Sequence, residues 1–185
     1  LNDILETEES KQTVEMCLQR GANLNRILSD QHKNHADFDA HQINCTYYSA
    51  LGCNDDAYLA ARAIQFLAPG VPQVYYVGLL AGQNDQKAVQ ETGEGRAINR
   101  HNYSVGEVDQ AVQTPIVQRL LKLIRFRNEY PAFNGDFRVL DSNDSELVLA
   151  WQKADKICRL NVDLNTCQAV IAYTNDTGEI VEYTV

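Results

Sequence analysis

The sequence predicts an α/β region followed by an all-β module, and three observations carry that reading. A helix that is apolar nearly all round, "NDDAYLAARAIQFLAPG", leads directly into the β-branched and aromatic run "VPQVYYVGLLAG", with further helical patterns behind it. A helix, an apolar run without alternation and more helices are the order of an α/β layer or barrel, whose parallel strands are apolar on both faces. From Phe137 onward the texture changes to short strand-like runs, with turn-rich stretches among their connections, as in a small antiparallel module.

Each element has its own signals. "TEESKQTVEMCLQRG" reads as a short helix: Thr7 suits the N-cap, Glu8 and Glu9 favour the positive end of the helix dipole, and Gly21 suits C′. Its apolar positions Val14, Cys17 and Leu18 give one narrow face. Residues 22–51 are polar and irregular, and so long a stretch without periodicity is usually functional or disordered; the isoleucine and tyrosines near its end argue against disorder. Asn54 or Asp55 caps the second helix and Pro69-Gly70 stops it. "VPQVYYVGLLAG" then reads as a strand buried on both faces. Ser104 with Glu107 is a capping box, and Pro115 opens a helix whose periodic residues Ile116, Val117, Leu120, Leu121 and Ile124 run on toward a stop at Pro131. "FRVL", "ELVLAWQ", "CRLNVDL", "AVIAYT" and "EIVEYTV" are five candidate strands, and Trp151 and the tyrosines among them are read as core residues in preference to a sugar platform.

The totals exclude several classes. The 185 residues are 44% hydrophobic and 22% charged, a globular composition, and carry a net charge of −9 without any basic cluster. Nucleic acid and anionic membranes are therefore not expected partners, and the longest apolar run is too short to cross a bilayer. Five cysteines, Cys17, Cys45, Cys53, Cys158 and Cys167, show no paired spacing, which points to free thiols in a reducing cytoplasm rather than zinc or a disulfide framework. No cofactor or metal site is expected. A single buried strand cannot satisfy its own backbone, so its ladder partners are expected in polypeptide upstream of Leu1.

Two segments concentrate polar groups. In "DFDAHQINCTYYSALG", residues 37–52, Asp39, His41 and Gln42 precede Asn44, Tyr47 and Tyr48. Carboxylate, amide and phenol together suit sugar hydroxyls, although an ordinary solvated loop has the same composition. "TGEGRAINRHNYS" follows the apolar run, where ligands of α/β sheets gather. Arg96 there could clamp vicinal hydroxyls or a phosphate, or pair structurally with Glu94 or Asp85. Arg100 and His101 read equally well as packing residues, and His32 and His35 as solvated ones. No nucleophile–base constellation is visible.

"QINCTYYSALG", "ARAIQFLAPGVPQVYYVGLLAGQND" and "GRAINRHNYS", taken together, closely resemble the carboxyl third of sucrose phosphorylases, in the α-amylase-like glycoside hydrolase family 13. The resemblance runs from about Gly21 to about Phe133 and continues weakly beyond. It implies the carboxyl-terminal part of a (β/α)8 TIM barrel followed by a small antiparallel β domain. Residues 1–52 would be an inserted subdomain with a substrate loop, 53–134 the last part of the barrel and 135–185 the β domain. The chemistry implied is retaining: an aspartate nucleophile, a glutamate acid/base and phosphate as acceptor, with two carboxyl groups ~5 Å apart. Those carboxylates are in none of the motifs present. What carries over is substrate binding. "DAHQ" matches the mobile acceptor loop, giving Asp39, Ala40, His41 and Gln42, and "GR" matches the arginine that holds the glucosyl unit, giving Arg96.

The implied partners are sucrose, inorganic phosphate, glucose 1-phosphate and fructose, and a homodimer is compatible with the family. Many members carry tyrosine where this chain has His41. An imidazole can become cationic beside an anion, so sucrose 6′-phosphate is an alternative substrate. A free-standing carbohydrate-binding module using Asp39, Gln42 and Arg96, and a phosphate-binding regulatory protein using Arg96 and His41, are the readings from other classes.

Overall fold

The computed structural model describes residues 7–26 and 40–185. Asp39, His32 and His35 therefore lie outside the described residues. The chain divides into two compact units, residues 1–53 with 75–108 and residues 54–74 with 109–185.

The second unit contains two long helices, a 3-10 turn at Pro131–Asn134 and a sheet. Helix α3 (Asp55–Leu67) starts where Asn54 accepts a hydrogen bond from the Ala57 N–H at 2.9 Å, the N-cap expected from sequence. Its buried residues include Tyr58, Leu59, Ala63, Phe66 and Leu67, so it is covered on several sides. It lies against α7 (Pro115–Glu129) and the strands Lys156–Asp163 and Ala169–Thr174 of the sheet. Pro115 opens α7, and Ile116, Val117, Leu120 and Leu123 form its buried stripe. Carbonyls at a helix end have no donors within the helix. At the end of α3, Arg127 Nε donates to the Phe66 carbonyl at 2.6 Å and Trp151 Nε1 to the Leu67 carbonyl at 2.6 Å.

The sheet is an antiparallel meander, β3 (Asp136–Leu140), β4 (Glu146–Lys153), β5 (Lys156–Asp163), β6 (Ala169–Thr174) and β7 (Ile180–Thr184), in that spatial order. This matches the five runs read from sequence. Alternation puts Cys158, Leu160 and Val162 of β5 inside while Arg159 faces out, as a sheet with one wet face requires. Burial pushes the Cys158 thiol up to about 12, so it is a small apolar core residue. Phe126, Tyr130, Phe133 and Tyr173 form an aromatic cluster, with Tyr130 stacked on Phe126 at 5.0 Å and Tyr173 edge-on to it at 5.0 Å. The turns use side-chain acceptors: Asp163 Oδ1 takes the Asn165 and Thr166 N–H groups, and Asn175 Oδ1 takes that of Thr177.

In the first unit, α1 (Thr7–Gln19) ends at Gly21, whose φ of +83° is the left-handed C′ conformation that a Cβ would strain. Val14 and Cys17 are buried, but Leu18 is 41% exposed and Ser10 takes the expected third place on the inner face. Two short strands follow, β1 (Asn23–Arg26) and β2 (Ala40–Asn44), paired antiparallel with a bulge at Asn25/Arg26. Among the described residues, 22–26 and 40–51 are thus more regular than their polarity suggests. Next come α2 (Tyr47–Ala50), α4 (Tyr76–Leu79), α5 (Gln86–Thr92), a 3-10 turn at Gly95–Asn99 and α6 (Val105–Ala111).

"VPQVYYVGLLAG" is not the expected buried strand. Residues 71–75 have no ladder partner among the described residues, and 76–79 turn into α4. Val71 is 90% and Tyr75 57% exposed. A parallel strand exists only through its neighbours' hydrogen bonds, and apolar content alone cannot replace them.

Two glycines test the packing with opposite signs. A Cβ on Gly135 would overlap the Gln152 carbonyl oxygen and lie 2.7 Å from Lys153 Cβ, whereas one on Gly106 in α6 meets nothing within 4 Å. Gly135→Ala is expected to destabilise by about 1–3 kcal/mol. Gly106→Ala should stabilise by about 0.5 kcal/mol through helix propensity. Scanning calorimetry of both variants checks the two signs.

Candidate functional site

The first unit brings the two polar segments together. Arg96 sits on the 3-10 turn, and its Nη2 donates to Gln42 Oε1 on β2 at 2.9 Å, across 54 residues of sequence. No carboxylate pairs with Arg96 among the described residues, so the structural ion pair to Glu94 or Asp85 is not formed. Gln42 occupies only part of the exposed guanidinium fork, whose other N–H groups suit a planar anion or vicinal hydroxyls. Ala40 and His41 belong to the same strand as Gln42, with Ala40 opposite Arg26. The segment expected as an irregular loop is therefore strand from residue 40 to 44.

Asn84 fixes the approach of these segments. Its Oδ1 accepts the Thr46 N–H at 2.7 Å, and its Nδ2 reaches the Arg20 carbonyl at 3.2 Å and Cys45 Sγ at 3.3 Å. Its backbone N–H donates to Ser49 Oγ at 2.9 Å. The end of α1, the end of β2 and the start of α2 are thus tied to one residue. Asn23 adds a bond from β1 to the Gly95 carbonyl at 3.2 Å, next to Arg96. Asn44 is fully buried, and neither atom of its amide has a partner among the described residues. Burial raises the Cys45 thiol above its usual range, and all five cysteines are free.

Beside the turn lies a charged cluster around His101, which the sequence left open between a site residue and a packing residue. His101 Nδ1 is 2.6 Å from Asp85 Oδ2, and its Nε2 is 3.1 Å from Glu107 Oε1. Asp85 also caps α5, accepting the Ala88 N–H at 2.8 Å. Glu107 completes the capping box read from sequence, accepting the Ser104 N–H at 2.7 Å while Ser104 Oγ accepts the Glu107 N–H at 3.3 Å. The His101 bond holds the Asp85 carboxyl below its usual range. Glu107 is held at about 2, first by the Ser104 N–H, then by the Ser104 hydroxyl and His101. His101 is raised, chiefly by Asp85, against an opposing effect of burial. The signal available in sequence was Asp85 ahead of a helical run ended by Gly93, which has φ of +71°. Among the described residues no cluster could hold a metal ion, and no helix is long and apolar enough to cross a membrane.

No family model matches the chain. A sucrose 6(F)-phosphate phosphorylase of Thermoanaerobacterium thermosaccharolyticum is 59% identical over all 185 residues, which span 38% of that protein's length. A sucrose phosphorylase of Agrobacterium vitis is 54% identical over 136 residues, 74% of this chain and 28% of that protein. The crystal structure of sucrose 6F-phosphate phosphorylase from Thermoanaerobacter thermosaccharolyticum superposes with a TM-score of 0.94 at 60% identity, covering 98% of this chain and 37% of that one. The match lies in that protein's carboxyl-terminal region.

Asn84→Ala would leave the buried Thr46 N–H without its acceptor. An unsatisfied buried donor costs about 1–3 kcal/mol. The variant is expected to melt earlier and to lose the Arg96–Gln42 contact. Asn84→Asp keeps the acceptor and should retain part of the stability. Thermal melts and side-chain NMR distinguish the two.

Proposed function

We propose that this chain, which is homologous over all 185 residues to the carboxyl-terminal region of a sucrose 6F-phosphate phosphorylase and over 74% of its length to a sucrose phosphorylase, supplies the substrate-holding part of a glucosyl-transferring disaccharide phosphorylase. In the reaction proposed, sucrose and phosphate interconvert with α-glucose 1-phosphate and fructose, with retention at the anomeric carbon. Arg96 holds the glucosyl unit, and Asp39, Ala40, His41 and Gln42 line the acceptor side. The observation that carries this reading is the bond between Arg96 and Gln42. Two segments nominated separately for substrate binding meet at one place.

The geometry suits the task. A guanidinium fork can hold two hydroxyl oxygens or two phosphate oxygens at once, and charge-assisted bonds of this kind are short and strong. The Gln42 amide both donates and accepts, so it can orient a sugar hydroxyl while steering Arg96. The nucleophile and the acid/base belong to polypeptide outside these residues.

The same reading makes residues 1–52 an inserted subdomain, 53–134 the end of a (β/α)8 barrel and 135–185 its terminal β domain. Residues 71–75 would become the last barrel strand once neighbouring strands supply its ladder. The free thiols fit a reducing cytoplasm.

A second reading, sucrose 6′-phosphate as the substrate, is favoured by His41 and by the 59% identity to a sucrose 6(F)-phosphate phosphorylase. A cationic imidazole would bond the extra phosphate, an interaction on the order of 1.5–3 kcal/mol.

The 185-residue chain alone is expected to release no glucose 1-phosphate from sucrose. Release would place the essential carboxylates within it and overturn the assignment. In the longer polypeptide, Arg96→Lys should lower kcat/KM roughly a hundredfold, since a lysine cannot reproduce the fork; unchanged kinetics would remove Arg96 from the site. His41→Tyr is expected to shift the kcat/KM ratio roughly tenfold or more toward sucrose over its 6′-phosphate if the second reading holds. An unchanged ratio would leave plain sucrose as the substrate.

A further inference from the structure

The turn that carries Arg96 forms the closing end of a loop that is tied twice at its neck. The Asp85 N–H donates to the Ile98 carbonyl at 2.8 Å, and the Asp85 carboxylate lies 2.6 Å from His101 Nδ1. His101 then reaches forward to Glu107, whose second oxygen caps α6. One imidazole therefore links the starts of α5 and α6 across the base of the loop.

The chemistry of that link is restrictive. Ionised carboxylates only accept hydrogen bonds, and a neutral imidazole donates from one nitrogen and accepts at the other. Carboxylate oxygens face both ring nitrogens of His101, so both must donate and the ring must be a cation. A neutral ring would turn one lone pair toward a carboxylate.

We propose that His101, held as an imidazolium between Asp85 and Glu107, is a positioning residue that fixes the turn bearing Arg96. It touches no substrate and acts through the loop neck. The proposal rests on Arg96 being a substrate-binding residue, and it explains how an exposed arginine on a short 3-10 turn keeps one direction. Loss of the proton leaves one ring N–H to serve two carboxylates, so one of the two side-chain bonds of the clasp is lost and the turn loosens from Gln42.

The pH window follows from the neighbours. On the α5 side Asp85 faces His101, with Lys87 favouring its ionised form; on α6 it is Glu107. Tyr103 packs edge-on to the ring at 4.6 Å, and burial raises its phenol further above neutrality. Folding raises the His101 pKa, so the clasp is complete below about 6.5, the unfolded value, and is lost as pH rises through the raised value. Asp85 and Glu107 are depressed, so their share is complete above about 4.5, the usual carboxylate range, and is lost as pH falls through the lowered values, about 2 for Glu107.

NMR of the 185-residue chain tests the clasp directly. His101 ring shifts give its midpoint. Across that midpoint, protection of the Asp85 amide, corrected for intrinsic exchange, is expected to fall about tenfold, and the Arg96–Gln42 contact should weaken with it. His101→Gln should show low protection at every pH, without the step. Glu107→Gln keeps an acceptor for Nε2 but removes a charge, and should move the midpoint down while preserving the step. An Asp85 amide and an Arg96–Gln42 contact that ignore His101 titration would overturn the proposal. If His101→Gln does not fold, titration of the unaltered chain still decides. The Arg96→Lys kinetics report on the substrate reading separately, so one can fail while the other stands.

Discussion

Three segments of the first unit end near Asn84, and each leaves a backbone group that no regular element satisfies. The carbonyl of Arg20 follows α1, the N–H of Thr46 follows β2, and the Asn84 N–H itself needs the hydroxyl of Ser49. An amide side chain carries an acceptor and two donors in one plane, so it can close several such accounts at once. Buried backbone groups without partners are rare because leaving them so is costly. The hairpin with Gln42 is therefore brought toward the turn with Arg96 as a by-product of hydrogen-bond satisfaction. The placement of the substrate-binding candidates depends on a residue that need never meet a substrate.

The second unit was the more legible in sequence, for a physical reason. Its elements are set by local periodicity and by caps within a few residues: Asn54 on α3, Pro115 on α7, alternation along β5. Such signals are complete within a short window. The first unit depends on pairings between distant segments, which a single sequence hides. The β1–β2 hairpin is short and polar, with a bulge, and neither strand alternates cleanly. "VPQVYYVGLLAG" erred the other way, since its composition favours a strand but no ladder neighbours are present among the described residues.

The candidate site shows the same division. Gln42 and Arg96 were nominated from the chemistry of their segments and again from the resemblance, and their hydrogen bond appears only in three dimensions. Asp39 lies outside the described residues, and Ala40 and His41 are placed by the backbone of β2. His101 stayed open between a packing and a site role because a histidine between an arginine and an asparagine carries no pattern. Its carboxylate partners stand sixteen residues before and six after it. The capping box at Ser104 was readable, but its second use of Glu107, as a support for His101, was not.

The meander has a kinetic consequence. Each strand of β3–β7 pairs with the next in sequence, so the sheet can form through short loop closures that cost little entropy. Helix α3, which covers part of it, is separated from the rest of its unit by residues 75–108. The sheet can therefore assemble early while its inner face, lined by Leu160 and Ile171, waits for a distant helix to return. During that interval the wet apolar surface is the place where a chaperone would bind or aggregation would begin.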